Sequence, residues 1–328
     1  MTHPRRKFIK RAAGAGAGLV LLPGFISSCT SPEEKSTDTA SAEGGAVSSA
    51  EGLFFQISLA QWSLHKAIQS GEIAPLAFPQ IAREEFDIGG VEYVNQLFMD
   101  KATDTEWLTE LNQRASDHGV ENLLIMCDRE GNLGDTDDAR RKQAVENHYK
   151  WIDAARFLGC HSIRVNAAGD GTRDEVANAA VDGLGRLSEY GAQVGINVIV
   201  ENHGGYSSDA EWLGGVIGQV GMENCGTLPD FGNFCIQKDK EGNCVEAFDI
   251  YQGTTELMKY AKGVSAKSHN FTADGNERDK DYLRLMRIVK DAGYRGFVGV
   301  EYEGNELSEF EGIIATKNLL IKVGEQLS

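Results

Sequence analysis

The chain has 328 residues, of which 41% are hydrophobic and 25% charged, the balance of a soluble globular protein with room for one large core or two small domains. Its formal charge is −17, and loss of the first 28 residues would remove five positive charges and no negative ones, leaving −22. A body this acidic repels phosphate backbones, which argues against nucleic acid as a partner and for a neutral ligand.

Residues 1–29, MTHPRRKFIKRAAGAGAGLVLLPGFISSC, have a basic start, an apolar run from Ala12 to Ser28 and a small-residue end, the layout of an export signal. Arg5-Arg6 followed by Lys7, Phe8 and Ile9 resembles a twin-arginine signal. Ile26-Ser27-Ser28-Cys29 resembles a lipobox, with Cys29 as the lipidated first residue of the mature chain. A plain membrane anchor is the competing reading, although the run is borderline in length for a span. Residues 30–52 hold almost no large apolar side chain and read as a flexible tether. The folded body is therefore expected at 53–328, in the periplasm or held to a membrane by lipid. Beyond Cys29 there are five cysteines, an odd number without a CxxC spacing. A Cys235–Cys244 bridge is one reading, and buried free thiols are the preferred one.

Through the body, short β-type runs alternate with amphipathic segments. Strands are expected at 54–60, 89–94, 122–127, 162–166, 197–201, 225–230, 263–268 and 297–301. TDTEWLTELNQRASDHG opens with Thr/Asp capping chemistry and closes on Gly119. DTDDARRKQAVENHYKWIDAARFLG carries Val145, Tyr149, Ile152 and Ala155 at helical spacing, and TRDEVANAAVDGLGRLSEYGAQVG and DYLRLMRIVKDAGY follow the same pattern. Eight strand–helix units over this length predict an α/β fold, a single-domain (β/α)8 TIM barrel. The strands are apolar at successive positions, as a parallel sheet covered by helices requires. An open doubly wound sheet is the competitor, but no glycine-rich phosphate loop follows the first strand.

In such a barrel the working residues come from the C-terminal tips of the strands. In order these are Gln61, Trp62 and His65; Tyr93 and Asn95; Asp128; Arg164 and Asn166; Glu201, Asn202 and His203; Asp230 and Asn233; Lys267 and His269; Glu301 and Glu303. Strands five to eight thus offer carboxylate, carboxylate, imidazole and carboxylate. Carboxylates this crowded shift to the neutral form unless a cation sits between them. A divalent metal resolves the conflict, and oxygen donors with one imidazole favour Mn²⁺, Mg²⁺ or Co²⁺ over a thiolate zinc site.

VENHGG, LPDFGNF, SAKSHNF and VGVEYEG, in that order at the ends of strands five to eight, resemble the xylose isomerase-like sugar isomerase/epimerase superfamily. The resemblance covers the whole body. It implies one catalytic divalent ion, Mn²⁺ foremost and Mg²⁺, Co²⁺ or Zn²⁺ as alternatives, held by Glu201, Asp230, His269 and Glu301. In the ketose 3-epimerase branch the first and last glutamates, here Glu201 and Glu301, also move protons on opposite faces of the substrate. Two departures stand out: Asn233 and Gly275 occupy positions where that branch has histidine and arginine.

The implied activity is proton abstraction α to a carbonyl, giving isomerisation or epimerisation of a small carbohydrate through an enediolate. A leaving group β to the same carbon would turn the site into a 3-keto-glycoside lyase or hydratase. An exported sugar-binding lipoprotein without catalysis is the alternative from another class, and an endonuclease IV-like activity is disfavoured by seven histidines and the acidic charge. A homo-oligomer is compatible with all of these.

Trp62 and His65 are read as a sugar-stacking wall, with core packing as the alternative for Trp62. Asn166 and Arg164 could bind hydroxyls, or Arg164 could face the helices. His203 lines the pocket or makes a rim hydrogen bond, and Lys267 contacts substrate or neutralises the acidic rim. Glu303 is expected to point away from Glu301. His118, His148 and His161 are read as structural, and Asp128-Arg129-Glu130 as a loop ion pair.

Overall fold

The computed structural model describes residues 52–328. The export-signal, lipobox and all but the end of the tether reading therefore fall outside the described residues. Eight parallel strands form the frame: β1 (Gln56–Ala60), β2 (Gly90–Val94), β3 (Glu121–Met126), β4 (Ser162–Val165), β5 (Asn197–Glu201), β6 (Cys225–Leu228), β9 (Val264–Ser268) and β10 (Phe297–Tyr302). β7 (Cys235–Lys238) and β8 (Cys244–Ala247) form a separate antiparallel hairpin between β6 and the next helix. The sheet runs β6-β5-β4-β3-β2-β1-β10-β9. Single parallel bridges, Thr227 to Ala261 and Asp230 to Ser265, bring its two ends together. The expected TIM barrel is thus present, closed on one seam by isolated bridges in place of a ladder.

Helices α1 (His65–Gln69), α2 (Phe78–Glu84), α3 (Thr105–Asp117), α4 (Asp138–Leu158), α5 (Arg173–Val194), α6 (Ala210–Val220), α7 (Ile250–Leu257), α8 (Tyr282–Asp291) and α9 (Glu309–Leu327) follow the strands. Their ends obey local chemistry. Asp104 accepts from the Trp107 amide, Thr172 and Glu175 form a reciprocal capping box, and α4 stops at Gly159 with φ +78°.

Two apolar layers result. The larger lies between strands and helices and includes Trp151, Ile163, Leu184 and Leu285. The smaller fills the barrel itself: Ala60, Val94, Leu124, Met126, Ile199 and Leu228. Side chains two apart on a strand share a face. The inward positions of this plug therefore lead directly to the inward positions above it: Ile199 to Glu201, Leu228 to Asp230, Met126 to Asp128.

Cys235 and Cys244 form a disulfide across the hairpin, while Cys127, Cys160 and Cys225 are buried free thiols. The preferred reading of all five as free thiols is corrected for this pair, because the hairpin brings their Cα atoms to 5.8 Å although the two are not register partners.

Candidate active site and metal centre

Glu201 ends β5, Glu301 lies on β10 and Asp230 follows β6 by two residues. Each is buried, and one oxygen from each lies within 4.8 Å of the other two. Three strands converge here because parallel register sets Glu301 opposite Lys267 and Asp230 opposite Ser265. The Asn202 amide ties two of the tips together. It donates to the carbonyls of Asp230 (3.0 Å) and Asn233 (3.1 Å) and accepts from the Asp230 N–H (2.8 Å). Asn233 in turn donates to Glu201 Oε1 at 3.0 Å.

The Ser265 hydroxyl lies 2.6 Å from Asp230 Oδ2 and 2.8 Å from Glu301 Oε2. A hydroxyl carries one proton, so it can donate to only one of them. The second contact calls for a proton on a carboxyl, and burial pushes Asp230 up to about 7, with Glu201 and Glu301 adding to the rise against Lys267. Burial likewise takes Glu201 to about 7, opposed by Arg164 and Lys267.

Two permanent cations enter the cluster. Lys267 Nζ lies 3.2 Å from Glu301, 3.0 Å from Glu303 and 3.9 Å from Asp230. Burial works against its charge, but Asp230, Glu301 and Glu201 outweigh that and hold it firmly protonated. Arg164 contacts Asp128 at 2.9 Å through Nη1 and Glu201 at 2.9 Å through Nε. The second contact is close but its N–H is not aimed at the oxygen, so Glu201 Oε2 and Arg164 Nε are both left without a hydrogen bond. Burial alone would raise Asp128, yet the Arg164 guanidinium holds it well below the usual carboxylate range.

Below this layer sits Glu92, an acid that the strand pattern of β2 conceals. It accepts from Ser58 Oγ at 2.6 Å and occupies space left by Gly299, where an added Cβ would stand 2.5 Å from its carboxylate. Burial raises it to about 8. A carboxyl that stays protonated in the fold but ionises in the unfolded chain costs stability as pH rises from the ordinary carboxylate pKa to about 8. Glu92→Gln is therefore expected to raise stability by several kcal/mol, on the order of magnitude, at pH 8 and hardly at all at pH 4. Denaturant midpoints of the two proteins across pH 4–9 check this, and parallel profiles would refute it.

Several expectations change in the structure. His269 is not within the carboxylate cluster. It lies one residue past the end of β9, half-buried, with Nδ1 3.2 Å from Lys280 Nζ. The strand positions level with the carboxylates are Ser265 and Lys267, so the imidazole stands too far along the chain. Glu303 does not point away from Glu301: being two residues on, it shares the inward face and accepts from Trp62 Nε1 and Lys267. Arg164 faces the barrel interior, not the helices. Asp128 pairs with Arg164 and with Asn166 Nδ2 (2.7 Å), and Glu130 with Lys150 and Trp151 of α4, so neither forms the expected local ion pair.

Trp62 and His65 stack with ring centroids 4.4 Å apart, and Trp62 also packs on the inner apolar plug, as the core-packing reading expects. His203 is exposed and lines a cavity of about 320 Å³ with Asn166 and Asp128. Lys267 is buried against the carboxylates and not on the rim. Reasoning from sequence missed Ser265 and Glu92; a charged residue within the otherwise apolar GGVEYV was the signal available for the latter.

Do these residues fit a divalent cation? Glu201 Oε2 is buried without a hydrogen-bond partner, and three carboxylates converge, which suits an oxygen-seeking ion. Glu201, Asp230 and Glu301 thus make a candidate metal site of three buried acids. It lacks an imidazole and has Lys267 as a neighbour.

The sequence profile of the xylose isomerase-like TIM barrel matches residues 82–320, most of the barrel just described. The chain belongs to the xylose isomerase-like TIM-barrel family. No curated protein matches this family member in sequence. Solved structures resemble it in fold. A D-psicose 3-epimerase with D-tagatose from Clostridium cellulolyticum H10 is 14% identical, with 82% of this chain and 99% of that one covered at a TM-score of 0.63. A 3-keto-D-glucoside 4-epimerase from E. coli is 15% identical over 81% and 99% of the two chains, at 0.61. A xylose isomerase-like TIM barrel protein from Mycobacterium smegmatis, in complex with magnesium, is 13% identical over 86% and 100%, at 0.59. At such identities the likeness is one of fold, and the chemistry of this family member has to be argued from its own residues.

Proposed function

We propose that this xylose isomerase-like protein is a sugar isomerase or epimerase that moves a proton α to a carbonyl, with Glu201 and Glu301 as the two proton carriers. The observation that carries this reading is the convergence of two buried glutamates from β5 and β10 on one centre, with Asp230 between their strands. Two carboxylates from different strands can serve two faces of one carbon: one removes the proton as general base, the other delivers one as general acid. The Lys267 ammonium, fixed by Glu301 and Glu303, is placed to stabilise negative charge on the enediolate oxygens. Asn166 and His203, on the 320 Å³ cavity, and the Trp62–His65 stack supply hydroxyl contacts and a flat wall for the ring.

Glu201, Asp230 and Glu301 would hold a divalent cation, which when bound polarises the carbonyl and adjacent hydroxyl oxygens. An all-oxygen donor set favours Mn²⁺ or Mg²⁺. The epimerases among the fold relatives, one solved with D-tagatose, support a small carbohydrate as substrate.

The test is incubation of Mn²⁺- or Mg²⁺-supplemented protein with ketoses, aldoses and 3-keto-glycosides in D₂O, followed by NMR. Deuterium incorporation with a changed sugar is the expected result. Release of an aglycone would move the reading to a lyase on the same first step, and no exchange with any of these sugars would sink it in favour of a binder.

We further propose that the chain is exported by the twin-arginine route and lipidated at Cys29. An oxidising compartment would keep the Cys235–Cys244 disulfide. Mass spectrometry of the mature N-terminus should find a diacylated or triacylated Cys29; an intact residue 1–29 segment would overturn this.

A further inference from the structure

The hairpin is the feature of the barrel mouth that the reaction above leaves unused. β7 and β8 contribute four residues each, and every residue of β8 is exposed. A two-stranded hairpin with so little buried surface is marginal on its own. Here the Cys235–Cys244 disulfide closes it, restricting the alternatives open to the chain. It follows β6, so it belongs to the βα-loops from which barrels of this kind build their sites.

Its residues Ile236, Gln237 and Glu246 wall a cavity of about 510 Å³, with Tyr206 and Arg173 across from them. That cavity adjoins the one of about 320 Å³ that holds Asp128, Asn166 and His203, and both touch Ala168 and Gly204. Gly204 has φ +89° and no side chain, so the divide between them is low. From the inner cavity the chain of contacts continues through Asp128 and Arg164 to Glu201. The two cavities therefore lie in series at the barrel mouth, the inner one bordered by Asp128, whose partner Arg164 stands beside Glu201.

Ligand sites typically span about 300–1,000 Å³. The inner cavity stands at the bottom of that range, and the two together lie well inside it. We propose that the outer cavity is a subsite for a second saccharide unit, so that the substrate is a disaccharide or other glycoside and not a free monosaccharide. This rests on the sugar reading given above.

The lining chemistry suits a neutral pyranose. Tyr206 and Ile236 offer apolar surface for the C–H faces of a ring, while Gln237 and Glu246 offer hydrogen-bonding groups for hydroxyls. The one cation of the lining, Arg173, is engaged by Asp209 at 2.6 Å, which leaves no basic cradle for a phosphate.

Calorimetry and saturation-transfer NMR with free hexoses, and with disaccharides built from the same hexoses, test this. Isomaltulose against D-fructose is one such pair, since its glucosyl unit leaves carbons 1 to 3 of the ketose free. In the wild type at least one disaccharide should bind about tenfold tighter than its parent hexose. Gln237→Ala, an exposed position that leaves the fold undisturbed, and the Cys235→Ser/Cys244→Ser pair should reduce that advantage to about twofold or less. Affinity for the hexose itself should stay within about twofold. Equal binding of hexoses and disaccharides, or an advantage that survives both variants, would overturn the subsite while leaving the isomerase reading intact. Failure of every sugar to bind would overturn the parent reading, and the subsite with it.

Discussion

Glu301→Gln is expected to lower product formation from the sugar substrate by about 10³-fold or more, with the fold preserved. The amide keeps the shape of the carboxylate and can still accept from Ser265 or Lys267, but it cannot take or return a proton. Lys267 keeps Glu303 at 3.0 Å as a partner, so the substitution does not strand a buried cation. Glu201→Gln should fail in the same assay for the complementary reason. The two variants are distinguished by isotope exchange. If each glutamate serves one face of the carbon, each variant retains slow deuterium wash-in only for the epimer facing its surviving carboxylate. Wild-type turnover in either variant, or identical exchange patterns in both, would defeat the two-base arrangement. Circular dichroism of both proteins guards against the trivial explanation of unfolding.

Lys267→Met is expected to tighten divalent-cation binding by about tenfold or more. The ammonium lies 3.2 Å from Glu301 and 3.9 Å from Asp230, so it already neutralises two of the three acids that would hold a metal. At an effective dielectric near 20, a pair of unit charges about 4 Å apart is worth about 4 kcal/mol, so removing one neighbouring positive charge leaves a much stronger field for a divalent ion. The same substitution should destabilise the metal-free protein, since it leaves buried carboxylates without their counter-ion. Calorimetric Mn²⁺ titration and the Mn²⁺-induced rise in Tm report both effects without any activity assay. Two further variants locate the centre along β9. Ser265→His places an imidazole level with the carboxylates and should tighten binding. His269→Ala should leave affinity unchanged, because that side chain rests against Lys280 outside the cluster. An unchanged or weaker affinity in Lys267→Met, or loss of metal in His269→Ala, would show that the cation site is organised differently.

The chain itself determined a great deal. Its apolar strand runs, its Thr/Asp starts and glycine stops are local signals, and they place eight parallel strands and the helices between them. Because barrel sites form at strand tips, the same runs pointed to Glu201, Asp230 and Glu301, and the structure joins these three. What only the tertiary structure decided is which residue of each tip stands at which height and faces which way. SAKSHNF contains an imidazole, but the pairing of Lys267 with Glu301 and the Asp230–Ser265 bridge put Ser265 and Lys267 at the level of the acids and leave His269 beyond them. Glu303 follows Glu301 by two and so shares its face, where Lys267 holds it. Glu92 reads as one polar residue in a strand; that it sits beneath the centre against Gly299 depends on strands far apart in the chain. The hairpin is too short and too exposed to leave a periodic pattern, and its disulfide appears only once two strands pair. Propensity and hydrophobic period act over a few neighbouring residues and survive in the linear text. Register, barrel closure and the meeting of Lys267 and Arg164 with three carboxylates arise from contacts between residues distant in sequence, and those are set by packing the whole barrel at once.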